Sequence, residues 1–155
     1  MIDFLPVELI ILLVSALPIV ELRGAIPFAL GVYNLSPLSA FFWSIIGNII
    51  PVIFILPLLG IVSNFLSKHS KFFKKFFIWL FERTRKKHNH KFELWGSLML
   101  VLFVAIPLPM TGAWTGALAA FVFGIPFRKA LPLIFLGIII AGVIVSLMSL
   151  GILSI

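Results

Sequence analysis

Glu21 and Arg23 stand two residues apart in an otherwise apolar stretch, Leu17-Pro18-Ile19-Val20-Glu21-Leu22-Arg23-Gly24-Ala25-Ile26-Pro27. A carboxylate can carry a proton or a cation, and a guanidinium can grip an anionic group through paired hydrogen bonds. The chain is 62% hydrophobic and only 11% charged, so few charges sit among its apolar runs. Ionisable groups at membrane depth are costly and face a cavity or a pathway more often than lipid. Desolvation favours the neutral form of Glu21, while Arg23 and a nearby helix N-terminus favour the charged form. A group pulled both ways can titrate during a transport cycle, which makes Glu21 the candidate carrier of H+ or Na+. Residues two apart do not face each other on a helix, so direct pairing requires local non-helical backbone. Pro18 and Pro27, flanking the pair, supply a reason for such a break. The competing reading is a structural ion pair that caps the break, although a hydrophobic pair would hold a fold at lower cost.

A second break is written in Pro107-Leu108-Pro109-Met110-Thr111-Gly112. A half-helix starting after each break, near Gly24 and near Gly112, would aim free N–H groups and the positive end of its dipole at the protein centre. With Arg23 and the hydroxyls of Thr111 and Thr115, that centre suits a phosphate or carboxylate headgroup. Ser44 and Asn48 lie one turn apart on one face and are read first as bonds to a neighbouring helix. Asn48 is also carried as a substrate or ion ligand. Trp114 is read as packing. Gly137, Ala141 and Ser149, and Gly142 with Ser146, form small-residue patches read as helix contacts. His88-Asn89-His90 lacks the further ligands a metal site needs. No nucleophile–base–acid set and no phosphate-binding loop is visible, so neither an enzyme nor a cofactor is expected beyond the coupling ion.

The elements that must position these residues follow from composition. A mean hydropathy of +1.24 excludes an ordinary soluble domain. Continuous apolar runs, rather than alternating ten-residue segments, point to an all-α integral membrane protein and away from a barrel. Nine of the twelve basic residues fall at positions 68–91. So apolar a chain is a poor nucleic-acid binder, and the island marks the cytoplasmic side of the inner membrane instead. There are no cysteines, hence no disulfides. The N-terminus carries Asp3 and Glu8 without a basic start, which argues against a cleaved signal peptide and for an external terminus.

Apolar residues 7–17 and 25–33 are each too short to cross a core of about 30 Å. Joined by the break at 18–24, they predict a re-entrant hairpin. Residues 38–66 are a full span, kinked by Pro51 and Pro57. Residues 71–81 mix Lys71, Lys74 and Lys75 with aromatics at i+3/i+4 spacing, including Trp79. They predict a helix in the headgroup layer with its lysines on lipid phosphates. Residues 83–91 read as a polar loop. Residues 94–106 and 113–123 predict a second hairpin, broken at Pro107 and Pro109, and 130–153 the last span. The chain is thus a single membrane domain, 1–155, with repeat 1 at 5–66, the basic amphipathic segment at 67–93 and repeat 2 at 94–155. Pro18 lies 19 residues before Pro37, and Pro107 lies 19 before Pro126. Lys91 and Arg128-Lys129 both want the cytoplasm, so the segment between them must leave and return. The expected fold is two inverted repeats, each a re-entrant helical hairpin plus a transmembrane helix, with both termini outside.

At Pro18–Gly31 and Pro107–Ala120 the chain resembles the small multidrug export family, on the run Glu21-Leu22-Arg23-Gly24-Ala25-Ile26-Pro27-Phe28-Ala29-Leu30-Gly31 and the Gly47-Asn48-x-x-Pro51 step. That family is distantly similar to the DedA (VTT-domain) membrane proteins, which pair re-entrant hairpins with membrane-embedded acidic and arginine residues. The resemblance implies Glu21 and Arg23 as the functional pair, proton coupling, and movement or scrambling of lipid carriers. The second hairpin departs from the DedA pattern, having no charge between Glu93 and Arg128. The expectation is a coupled transporter of an amphipathic, anionic, lipid-like substrate, with membrane lipids as partners. A short core with polar centres favours a homodimer. A passive scramblase and a membrane scaffold working through residues 71–81 are the alternatives.

Overall fold

In the computed structural model, residues 5–85, 90–108 and 111–153 are described, with backbone alone at 81, 84–85 and 90–93. The described residues form helices α1 (Val7–Ala16), α2 (Glu21–Gly31), α3 (Pro37–His69), α4 (Lys71–Arg85), α5 (His90–Ala105), α6 (Ala113–Val122) and α7 (Phe127–Leu153), with no strand among them. The order is short, short, long, then α4, then short, short, long.

Local chemistry sets most of the boundaries. Leu17 precedes a proline, which disfavours helical backbone, and it is extended at φ −72°, ψ 136°. α1 therefore stops at Ala16. Asn34 turns the chain after α2 at φ 50°, a conformation asparagine tolerates. Ser36 then caps α3 by accepting from the Ser39 N–H at 3.3 Å, with Pro37 in the first turn. Gly124, at φ 69°, turns the chain between α6 and α7.

Only α3 and α7, with 33 and 27 residues, are long and apolar enough to cross a bilayer at about 1.5 Å per residue. Within their most apolar stretches only 28% and 39% of residues are buried, so most of this surface faces outward uncovered. Lipid is the solvent that such helices fit.

The packing crosses over. α1 and α2 pack on α3, and α5 and α6 pack on α7, but α2 also reaches α7 and α6 reaches α3. Glycines set the closest approaches. A Cβ at Gly47 of α3 would collide with Ser15 Oγ and the Leu12 carbonyl of α1. At Gly137 of α7 it would meet Val104 Cβ at 2.7 Å and the Val101 carbonyl at 3.0 Å, both on α5. At Gly142 it would meet Phe41 of α3 at 2.8 Å. The small-residue patches of α7 are thus helix contacts, as read. Ala25, Ala29, Ala113, Ala117 and Ala120 line the shared core and let the short helices approach the long ones closely.

Several boundaries differ from expectation. α2 begins at Glu21 rather than after Gly24, so the first break shrinks to residues 17–20. Pro27 lies inside α2 and is no hairpin break. Its missing N–H falls within an 11-residue helix, where neighbouring turns carry the continuity. Residues 83–85, expected in a loop, complete α4, and α5 begins at His90, making it 16 residues long. Charged side chains are compatible with helix wherever no proline or glycine interrupts, and none does there. Pro109, His88 and Asn89 lie outside the described residues.

Candidate functional site

Glu21 is the first residue of α2 and takes a left-handed backbone conformation, φ 48°. That is uncommon for a non-glycine residue and turns its side chain away from the normal helical direction. Its carboxylate can therefore meet the side chain two residues on. Arg23 Nη2 lies 3.3 Å from Glu21 Oε2, the pairing that regular helix would forbid. The Glu21 residue is 4% exposed.

The pair reaches across to the second break. The Trp114 backbone N–H donates to Glu21 Oε1 at 3.3 Å. This is a first-turn N–H group of α6, and such groups have no partners within their own helix. Glu21 of one hairpin thus caps the helix of the other, 93 residues away. Arg23 Nη1 donates to the Leu108 carbonyl of the second break. Gly112, at φ 149°, makes room: a Cβ there would collide with Glu21 Oε2 and stand 2.6 Å from Arg23 Nη2. Its glycine is required both by the backbone angle and by the carboxylate beside it.

Thr111 holds the second break in shape. Its hydroxyl lies 2.7 Å from the Ile106 carbonyl and 2.9 Å from the Leu108 carbonyl, and it accepts from the Leu108 N–H at 3.2 Å. Thr115 Oγ1 donates to the Gly112 carbonyl at 3.3 Å. Trp114 does more than pack, because its indole N–H donates to the Ala16 carbonyl at 3.2 Å. Ala16 ends α1, where carbonyls lack helical partners.

A cavity of about 430 Å³ opens beside this junction, lined by Pro18, Ile19, Val20, Glu21, Arg23, Gly24, Thr111 and Thr115. Two widely separated stretches thus converge on one chamber, with Gly112 against its carboxylate. Gly24 contributes no free N–H, since its amide bonds the Val20 carbonyl at 3.1 Å. Pro18 and Pro107 lie in the two breaks.

Asn48 is not brought to this chamber. It is fully buried on α3, and neither its amide atoms nor Ser44 Oγ have a hydrogen-bond partner among the described residues. The expected bonds to a neighbouring helix are not formed. Lys71, Lys74, Lys75 and Trp79 all project from α4, exposed together with Phe72, Phe73 and Phe76. Phe77 turns inward instead, edge-on to Phe121 of α6 with ring centroids 6.3 Å apart.

The Leu108 carbonyl and the Trp114 N–H groups escaped the sequence reading. A signal for Leu108 was present: a residue followed by proline is disfavoured in helix, so its carbonyl is open to donors from outside a helix, here Thr111 and Arg23.

Two long apolar helices with outward-facing hydrophobic surface, and a charged junction enclosed between broken segments, define a helical membrane protein. Residues 21–144 match the family described as "Putative small multi-drug export protein". That is most of the chain, and the protein belongs to this family. No curated protein and no solved structure matches the chain.

Proposed function

We propose that the chain is a secondary transporter of the cytoplasmic membrane that moves an amphipathic anion together with protons carried by Glu21. The observation behind this reading is the seat of the Glu21 carboxylate. It occupies the donors an incoming anion would use, namely the Arg23 guanidinium and a first-turn N–H group of α6. Protonation of Glu21 would release both, and the anion would take its place. The return step would expel the anion as Glu21 ionises. Around Glu21 the neighbours are hydrogen-bond donors, which suits a proton better than Na+, since Na+ would need several oxygen ligands at once.

The two halves would act as inverted units, each a re-entrant hairpin with a span. Lys68 and His69 end α3, whereas Arg128 and Lys129 begin α7. If both basic ends face the cytoplasm, the long helices run in opposite directions. The α4 segment would lie on the inner leaflet, its lysines on anionic headgroups.

The test uses proteoliposomes and a fluorescent single-chain lysophosphatidic acid as probe. Wild-type protein should move it inward faster under an acid-outside gradient. Glu21→Gln should abolish the gradient dependence, and Arg23→Gln should abolish movement. Both variants transporting at the wild-type rate would sink the proposal. Movement indifferent to the gradient in wild-type protein would indicate passive scrambling, and no movement at all would favour a scaffold.

A further inference from the structure

A second cavity, of about 310 Å³, lies on the other side of Arg23 and has no part in the reading above. Its walls are Pro27 of α2, Pro107 of the second break, and Val145, Met148 and Ile152 along the C-terminal half of α7. Its volume falls at the lower end of the range that holds small ligands. Among the described residues Arg23 is the only charged one on its wall, and it borders the polar chamber as well. A guanidinium carries five N–H donors, and the bonds to Glu21 and Leu108 engage two of them. A hydrocarbon slot closed at one end by an incompletely used cation is complementary to an amphiphile with an anionic head.

We propose that this groove seats one hydrocarbon chain of an anionic lipid drawn from the surrounding bilayer, with its head held at Arg23. The proposal rests on the reading of Arg23 as an anion ligand and adds where the tail lies. Arg23, at the junction of the two cavities, lets a head shift between groove and chamber while its chain stays on α7. Ser149, 7% exposed, also faces the groove and sets its width, since a larger side chain there would fill it.

The absence of cysteines makes the test direct. A bimane label is placed at Met148→Cys, and separately at Leu147→Cys, the adjacent α7 residue, which is not on the groove wall. Each protein is reconstituted in phosphatidylcholine nanodiscs and titrated with chain-brominated dodecyl phosphate. Saturable quenching is expected at 148 and only non-saturable quenching at 147. Brominated dodecyltrimethylammonium, equal in chain and opposite in charge, should bind at least about tenfold more weakly. Ser149→Leu should remove the saturable phase. Ile152→Trp, at a highly exposed position on the groove rim, should weaken it and guards against a misfolded Ser149 variant. Equal quenching at 147 and 148, or equal binding of the two amphiphiles, would overturn the proposal. Saturable binding without gradient-driven uptake would sink the transport reading alone. Gradient-driven uptake without saturable quenching at 148 would sink the groove alone.

Discussion

The two breaks have opposite chemistry. The first, residues 17–20, leads straight into the opening turn of α2, which brings both charges, Glu21 and Arg23. The break around Thr111 and Gly112 brings none and presents backbone: the Leu108 carbonyl and the N–H group of Trp114. Each is the complement of the other. The carboxylate needs donors and finds helix α6, while the guanidinium needs an acceptor and finds a carbonyl that no helix uses. Charge in one half is enough, because the other half needs only free peptide groups and a glycine to admit them.

The sharpest way to break this comparison is to remove one charge and then both. Arg23→Leu leaves a carboxylate that is 5% exposed without its cation. Breaking a buried pair from one side costs about 3–5 kcal/mol. The double variant Glu21→Leu/Arg23→Leu removes the uncompensated charge and should lie within about 2 kcal/mol of wild type, the remaining loss coming from the α6 N–H left without its acceptor and from the guanidinium bond to the Leu108 carbonyl, which keeps its bonds to Thr111. Thermal unfolding in detergent measures both. Transport should be absent in each, so the double variant separates stability from function. If it unfolds as readily as Arg23→Leu, the second break depends on the charges for its own shape.

The glycines on either side of the junction give the next contrast. Gly112→Ala forces a side chain onto the Glu21 carboxylate and into a left-handed backbone. Strain and overpacking together should cost about 2–4 kcal/mol. Gly24→Ala meets only the end of the Val20 side chain, at 2.5 Å, which can turn aside. It also gains helix propensity of about 0.5–1 kcal/mol, so it should be close to neutral. Equal unfolding temperatures for the two variants would show that the breaks do not press together at Gly112.

Much of this was legible in the sequence, for reasons that explain what was not. The long helices and the short arms follow from run length and proline. Glu21 and Arg23 stood out because charge is rare in apolar chain, and their pairing was tied correctly to non-helical backbone. Pro27 misled, since a proline within a short helix that packs on its neighbours need not end it. Asn48 misled because spacing gives a face of α3 but not what lies opposite, and its amide finds no hydrogen-bond partner among the described residues. The Trp114 contacts were illegible. A backbone N–H acquires its partner only when two hairpins meet, and nothing in the local sequence encodes that meeting.

The finest test concerns how the uncharged break supports the charged one. Trp114→Phe keeps most of the ring packing and deletes the indole N–H that bonds the Ala16 carbonyl at 3.2 Å. That carbonyl ends α1 two residues before Pro18, where no helical donor follows. Its loss should cost about 1 kcal/mol, the smallest of the predicted losses of stability. The consequence for the site should be larger than for the fold, because the same residue's backbone N–H holds Glu21 Oε1. A slackened α1 terminus would let residues 17–20 shift and carry Glu21 with them. Hydrogen exchange of the 17–24 amides should therefore quicken in Trp114→Phe while that of the α3 and α7 interiors stays unchanged. Unchanged exchange at 17–24 would mean that the first break is held by its own charges alone.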